Sequence, residues 1–199
     1  MRIGLDVDGV FADFVLGFTK VLNEITDSEF MPYSTDEQKE WRFDVSSSTY
    51  DFAWDVIGQR MNWWMTLEPL ISDMDKVAVN YLIHNNDVYF ITSRKSLKRG
   101  LSAQMQTEYW LEGIGIDTAH ATVLTTQASK KHKLLDALDI IFYIDDKPSI
   151  LDSLMKETSP VGSLTVCARN WEYNKDCIVD ARFNSVEAYA EWIMKNFSE

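Results

Sequence analysis

The chain has 199 residues, 46% of them apolar, which is enough for one domain with a modest insertion. Its net charge of −12 argues against broad binding to a nucleic-acid backbone, although a locally cationic site for a small anion remains compatible with it. No stretch approaches the roughly 18 uncharged apolar residues of a membrane span, and Cys167 and Cys177 lack a metal-ligand spacing, so we expect reduced thiols in a cytoplasmic protein.

Five short segments rich in β-branched and aromatic residues are typical of strands buried on both faces. They cover residues 2–6, 87–92, 121–125, 140–145 and 163–167. Helical patterns cover residues 14–25, 73–84, 97–111, 130–138, 150–155 and 186–197. This alternation predicts an α/β fold, a Rossmann-like parallel sheet flanked by helices.

The interval 15–69 breaks the alternation and contains four of the seven tryptophans. We interpret it as a small helical cap inserted after the first strand, with residues 1–14 and 70–199 forming the core domain. Ligands of parallel sheets bind beyond the carboxyl ends of the strands, so a cap at this position would cover the ligand site. Phe18, Trp63 and Trp64 then either form the core of the cap or contact a substrate.

Charged and hydroxyl side chains cluster where the predicted strands end. Asp6 and Asp8 follow the first strand, Thr92, Ser93 and Arg94 follow the second, and Asp145 and Asp146 follow the fourth. A lysine cluster (Lys130, Lys131 and Lys133) opens the helix before the fourth strand. Because the carboxyl ends of parallel strands share one edge of the sheet, we expect these groups to meet there.

The combination fits phosphoryl chemistry. Carboxylates of Asp6, Asp145 and Asp146 can hold Mg²⁺, which prefers oxygen ligands and reduces repulsion between a phosphate and an attacking carboxylate. Asp6 could then attack phosphorus, and Asp8 could protonate the leaving alcohol and later accept a proton from water. Thr92, Ser93 and one lysine could bind phosphate oxygens, and Arg94 either contacts substrate or pairs with an acid of the cap.

These motifs resemble those of the haloacid dehalogenase superfamily: DxDG after strand one, Thr-Ser after strand two, a lysine, and an acidic pair. The stretches LDVDGVFADF, WWMTLEPL, YFITSRK and YIDDKP are most similar to the 5′(3′)-deoxyribonucleotidases. The resemblance implies that Asp6 is the nucleophile and a metal ligand, that Asp8 is the acid/base and binds metal through its carbonyl, and that Thr92 binds phosphate. Lys130 best matches the family lysine, with Lys131 and Lys133 as alternatives, and residues after about 160 add little.

The resulting hypothesis is a Mg²⁺-dependent phosphomonoesterase that acts on a (deoxy)nucleoside monophosphate through an aspartyl-phosphate. The competing hypotheses are the same chemistry on another small phosphate ester, such as a sugar phosphate, and a non-catalytic binding protein on the same fold. We expect the partner to be a small-molecule nucleotide, and we expect no binding to polymeric nucleic acid or to a membrane. The sequence leaves open whether the protein forms a homodimer.

Overall fold

A computed structural model describes residues 1–29, 43, 45–157 and 164–197. Within these ranges the chain forms six strands: β1 (Arg2–Leu5), β2 (Asp87–Thr92), β3 (Thr122–Thr125), β4 (Phe142–Asp145), β5 (Thr165–Arg169) and β6 (Ala181–Phe183). It also forms seven α-helices: α1 (Phe14–Thr26), α2 (Ser47–Gln59), α3 (Asp73–Asn85), α4 (Ala103–Gly113), α5 (Lys131–Ala137), α6 (Pro148–Glu157) and α7 (Val186–Phe197). No helix in this described part is long and apolar enough to cross a membrane.

The strands form one sheet in the order β3-β2-β1-β4-β5-β6, and every neighbouring pair is parallel. Strand β1 is central: Leu5 pairs with Phe90 of β2 on one side and with Ile144 of β4 on the other. The carboxyl ends of all strands therefore lie at one edge. The α/β, Rossmann-like fold that the sequence predicted is confirmed.

Several elements differ in their bounds from the prediction, and two of these differences have a clear local cause. Strand β6 was not predicted because it has only three residues, all half-buried, and is held by parallel pairing with β5. Helix α4 begins at Ala103 instead of residue 97, because the Ser102 hydroxyl accepts a hydrogen bond from the Met105 amide and so caps the helix there. Residue 163 of the predicted fifth strand lies outside the described residues.

The interval 15–69 contains helix α2 and a 3-10 helix, Trp63–Thr66, which pack their aromatic rings against α1. Phe18 of α1 lies 5.0 Å from Tyr50 and 5.4 Å from Trp54 between ring centroids, and Phe14 lies 6.1 Å from Trp64. Such ring pairs add stabilisation beyond the buried area. The same apolar cluster continues into the sheet residues Leu5 and Phe90, and the division into cap and core domain remains a prediction.

Helix α3 is fixed to the start of α7 by one buried carboxylate. Asp75 accepts hydrogen bonds from the Ser72 amide at 2.8 Å, from the Ser72 hydroxyl at 2.7 Å and from the Glu187 amide at 2.7 Å. The Ser72 hydroxyl in turn accepts from the Asp75 amide at 3.2 Å, which together with the Ser72 amide bond completes a capping box. Burial raises the pKa of Asp75, but the hydrogen bonds from Glu187 and Ser72 outweigh it and leave the pKa below its ordinary value. The ionised form is therefore the one that the fold stabilises.

Replacing Asp75 by Asn should lower the free energy of unfolding by about 1–3 kcal/mol at pH 7, because an amide group would face the Ser72 donors. Since the folded pKa is depressed, this loss should be complete above the unfolded aspartate pKa of about 3.9 and should shrink as pH falls through the lower folded value. Urea denaturation across this pH range measures it. Asp73→Asn, which removes an exposed charge from the same helical turn, is the control, and an equal loss in the two variants would contradict the assignment.

Candidate active site

Strand β1 ends in a tight turn that brings Asp6 and Asp8 to the carboxyl edge. The Asp6 amide donates to the Ile144 carbonyl at 3.0 Å, and the Val7 carbonyl accepts from Phe11 and Ala12 at 2.8 and 2.9 Å. Gly9 has a φ of +81°, and a Cβ on it would lie 1.9 Å from Asp146 Oδ2. Only glycine allows the turn and the acidic pair to approach so closely.

Lys131 links the first strand to the fourth. Its Nζ lies 3.0 Å from Asp6 Oδ1 and 2.7 Å from Asp145 Oδ2, and its side chain is only 2% exposed. The first residue of helix α5 thus inserts an ammonium group between carboxylates from β1 and β4. Such burial of a lysine requires paired charges, which the two aspartates provide.

The structure places Lys131, and not the preferred Lys130, in the site. Lys130 ends the 3-10 helix Ala128–Lys130, is exposed and does not line the cavity. Helix α5 begins one residue later than the sequence pattern indicated, which turns Lys131 inward. Lys133 is likewise exposed and does not line the cavity.

Asp145 is held by several protein donors. Besides Lys131, its carboxylate accepts hydrogen bonds from the Tyr143 hydroxyl at 2.9 Å and from the Lys147 amide at 2.9 Å. Burial, followed by the Asp145 charge, raises the pKa of Tyr143 well above its ordinary value, so the phenol remains a donor. Asp145 therefore has a fixed orientation.

Asp146 is held from the other side by the segment that follows β5. The Tyr173 hydroxyl donates to its carboxylate, and the Asn174 amide group donates to its backbone carbonyl at 2.7 Å. The Trp171 indole donates to the Gly9 carbonyl at 2.8 Å. No local sequence pattern indicates these contacts, because they join residues that are 27 to 162 positions apart.

The three buried carboxylates Asp6, Asp145 and Asp146 converge, with ligand oxygens within 4.8 Å of one another. Burial, followed by the neighbouring Asp145 charge, raises the pKa of Asp6 to about 7, despite the opposing effect of Lys131. The same causes raise the pKa of Asp146 well above its ordinary value. Negative charge in the cluster is therefore incompletely compensated.

This donor set fits a hard divalent cation. Carboxylate oxygens are the ligands that Mg²⁺ prefers, and a cation among them would favour the ionised forms that burial disfavours. Asp145 already accepts from Lys131, Tyr143 and Lys147. Asp6 and Asp146 are therefore the residues that would hold the metal most directly.

Asp8 is separate from this cluster. Its carboxylate accepts from Arg94, with Nη2 at 2.7 Å and Nε at 3.1 Å, and from the Thr92 hydroxyl at 3.3 Å. Among the described residues, the acidic partner of Arg94 belongs to the β1 turn and not to the cap. Arg94 also lines the cavity described below, and its contact with a substrate stays a prediction. The guanidinium also donates to Thr107 at 3.1 Å and lies over the Trp64 ring, 5.0 Å from the centroid.

A cavity of about 730 Å³ opens above these groups. Asp6, Asp8, Thr92, Ser93 and Lys131 lie at its base, and Phe14, Tyr50, Trp54 and Trp64 form an aromatic wall. Phe18 and Trp63 do not line it: they are 0% and 3% exposed and pack within the aromatic cluster. The wall residues Tyr50 and Trp54 are both half-buried. They were not selected from the sequence, because the residue at which α2 begins determines which face of that helix points inward.

Ser93 and Trp54 leave polar atoms for a ligand. The Ser93 hydroxyl and the Trp54 indole nitrogen are buried, and neither has a hydrogen-bond partner among the described residues. Both residues line the cavity. Buried polar groups normally find partners, so these two are suited to binding a polar molecule there.

No protein-family model matches the sequence, and a search of curated proteins found no match. Solved structures do resemble the chain over nearly its whole length. A subfamily IA hydrolase of the HAD superfamily from Geobacter sulfurreducens is 13% identical with a TM-score of 0.56, and 96% of this chain and 98% of that chain are covered. A haloacid dehalogenase-like hydrolase from Burkholderia xenovorans is 9% identical with a TM-score of 0.59, and the coverage is 98% and 96%.

A third such hydrolase, from Xanthomonas campestris, is 10% identical with a TM-score of 0.51, and 98% of this chain and 95% of that chain are covered. At such low identity the agreement concerns the fold. The chain therefore has the fold of the haloacid dehalogenase-like hydrolases, in agreement with its motifs.

Replacing Lys131 by Met should lower the free energy of unfolding by about 3–5 kcal/mol in EDTA, because it leaves buried carboxylates without their cation. Lys130→Met should change it by less than about 0.5 kcal/mol, since an exposed side chain is removed. Urea denaturation of the two variants gives the comparison. Equal effects, or a larger effect of Lys130→Met, would contradict the assignment of Lys131 as the buried partner.

Proposed function

We propose that the protein is a Mg²⁺-dependent phosphomonoesterase that hydrolyses nucleoside monophosphates, with deoxyribonucleotides as the preferred class. The observation that carries the proposal is the position of Asp6, which lies against both Lys131 and the acidic pair at the base of a cavity with an aromatic wall. The fold shared with haloacid dehalogenase-like hydrolases and the DxDG motif support the same class of reaction.

The cavity favours an anionic substrate despite the net charge of −12. Arg94, Lys95, Lys131 and Lys147 all line it. A volume of about 730 Å³ lies within the usual range for small-molecule sites and leaves space beyond a phosphate group. The aromatic wall then suits a nucleobase, because stacking tolerates any base.

In the first step of the proposed reaction, a carboxylate oxygen of Asp6 forms a bond to phosphorus while the ester P–O bond breaks. The Thr92 and Ser93 side chains and Lys131 hold the phosphate oxygens. Mg²⁺, when bound by Asp6 and Asp146, supplies positive charge that reduces repulsion between nucleophile and phosphate. Asp8 gives its proton to the leaving oxygen.

In the second step, water attacks phosphorus, Asp8 accepts the proton of that water, and the Asp6 carboxylate is regenerated. Arg94 pairs with the ionised form of Asp8, which is the form that accepts this proton. A protonated carboxyl no longer forms this ion pair. Asp8 must therefore separate from Arg94 when it acts as the acid.

The first test is phosphate release from a panel of 5′- and 3′-nucleoside and deoxynucleoside monophosphates and sugar phosphates, with MgCl2 or with EDTA. We expect turnover of nucleotides that EDTA abolishes. Asp6→Asn should lower kcat by at least about a thousandfold, because a catalytic nucleophile is lost, whereas Asp87→Asn, which removes an exposed carboxylate at the opposite end of β2, should not. Activity only on sugar phosphates would overturn the substrate class, and unchanged turnover in Asp6→Asn would overturn the covalent mechanism.

Two cavity substitutions test how the base is bound. Tyr50→Ala and Trp54→Ala should each raise KM for nucleotides about tenfold, consistent with the stacking contribution of about 1–3 kcal/mol per base. The inhibition constant of inorganic phosphate should not change, because phosphate contacts only the base of the cavity. Tyr81→Ala, on the exposed surface of α3, serves as the matched control. Parallel weakening of nucleotide and phosphate would show that these rings do not contact a base.

A further inference from the structure

A second group of metal-ligating side chains lies at the amino edge of the sheet, opposite the active site. His84, near the end of α3, precedes β2, and Asp117 precedes and His120 ends the 3-10 helix Thr118–His120, which comes before β3. We refer to these three residues as the histidine cluster. Their ligand atoms lie within 4.8 Å of one another.

The distances suit a shared cation. His84 Nε2 lies 3.3 Å and His120 Nδ1 lies 2.9 Å from the same oxygen, Asp117 Oδ2. Two ligands on a tetrahedral zinc ion at about 2.0–2.1 Å are separated by roughly 3.3 Å. Small movements of exposed side chains would therefore complete the coordination.

The local structure holds together the backbone segments that carry the three side chains. Asn80, one helical turn before His84, donates to the Gly115 carbonyl at 2.9 Å and accepts from the Asp117 amide at 2.9 Å. Residues four apart on a helix lie on the same face, so α3 fixes the backbone of Asp117 and presents His84 to it. Asp117 and His120 are three apart across a 3-10 turn, where such side chains are nearly eclipsed.

The donor chemistry selects the metal. Two imidazoles and one carboxylate suit borderline transition metals such as Zn²⁺, Ni²⁺ and Cu²⁺, whereas the all-carboxylate cluster at Asp6 suits Mg²⁺. The three side chains are 54%, 30% and 62% exposed in the order His84, Asp117, His120, so solvent can reach the remaining coordination positions. We propose that the histidine cluster is a second metal site that binds Zn²⁺ or a similar ion and joins α3 to the start of β3.

The chain provides an internal control. It has three histidines, and the third, His132, also pairs with a carboxylate, since its Nε2 lies 2.8 Å from Glu157 Oε2. An isolated histidine–carboxylate pair offers fewer ligands than the histidine cluster. A metal site therefore predicts different behaviour for His132, whereas simple ion pairing predicts the same behaviour for all three.

The experiment is a titration of the full chain with ZnCl2 at pH 7.5, in the presence of excess MgCl2 to occupy the carboxylate site. Binding is measured by calorimetry and by the side-chain NMR signals of the histidines. We expect one zinc ion per chain, shifted signals for His84 and His120 and an unshifted signal for His132. His84→Ala and His120→Ala should each weaken binding by at least about tenfold, whereas His132→Ala should not change it.

A thermal melt provides a second readout that does not depend on activity. Zinc should raise the melting temperature of the wild type and of His132→Ala, and should not raise that of His84→Ala or His120→Ala. No zinc binding, or equal shifts for the three histidines, would overturn the proposal. Catalytic activity with Mg²⁺ should be unchanged in the two cluster variants, so failure of this proposal is distinguishable from failure of the proposed phosphatase activity.

Discussion

The arrangement of the candidate site depends on the buried contact of Lys131 with Asp6 and Asp145. A carboxylate at the end of a central strand is costly to bury alone, and this ammonium group makes two of them compatible with the core. The contact also fixes the relative positions of β1, β4 and α5, from which Asp6, the acidic pair and Lys131 itself extend. The same interaction thus stabilises the fold and holds Asp6 at the base of the cavity.

Neighbouring contacts divide the two aspartates of the β1 turn between different environments. Asp6 faces carboxylates, and its pKa is raised to about 7, first by burial and then by the Asp145 charge. Asp8 faces Arg94 and Thr92 on the β2 side, where the guanidinium makes a bidentate contact with its carboxylate. Residues only two apart thereby receive different electrostatic surroundings, as the proposed roles of Asp6 as nucleophile and of Asp8 as proton carrier require.

Features of the fold and of the candidate site could be predicted from the sequence where they depend on residues close together in the chain, and not where they depend on residues far apart. The α/β fold, five strands and the acidic residues follow from local patterns, because buried strands and the turn after β1 have their own sequence signatures. The choice between Lys130 and Lys131 depended on a helix start displaced by one residue, and a one-residue displacement rotates a side chain by about 100°. Contacts of Trp171, Tyr173 and Asn174 join distant parts of the chain, and no local pattern indicates them.

The parallel sheet also explains why two kinds of metal chemistry could coexist on one small chain. All strands begin at one edge and end at the other, so the ligands that precede β2 and β3 are separated from those that follow β1 and β4. Strand β2 has six residues and at about 3.3 Å per residue spans roughly 20 Å. An ion at the histidine cluster would therefore not contact Asp6 or its substrate. Its effect on the active site would be limited to what α3 and β2 transmit by stabilising the start of the strand that ends in Thr92.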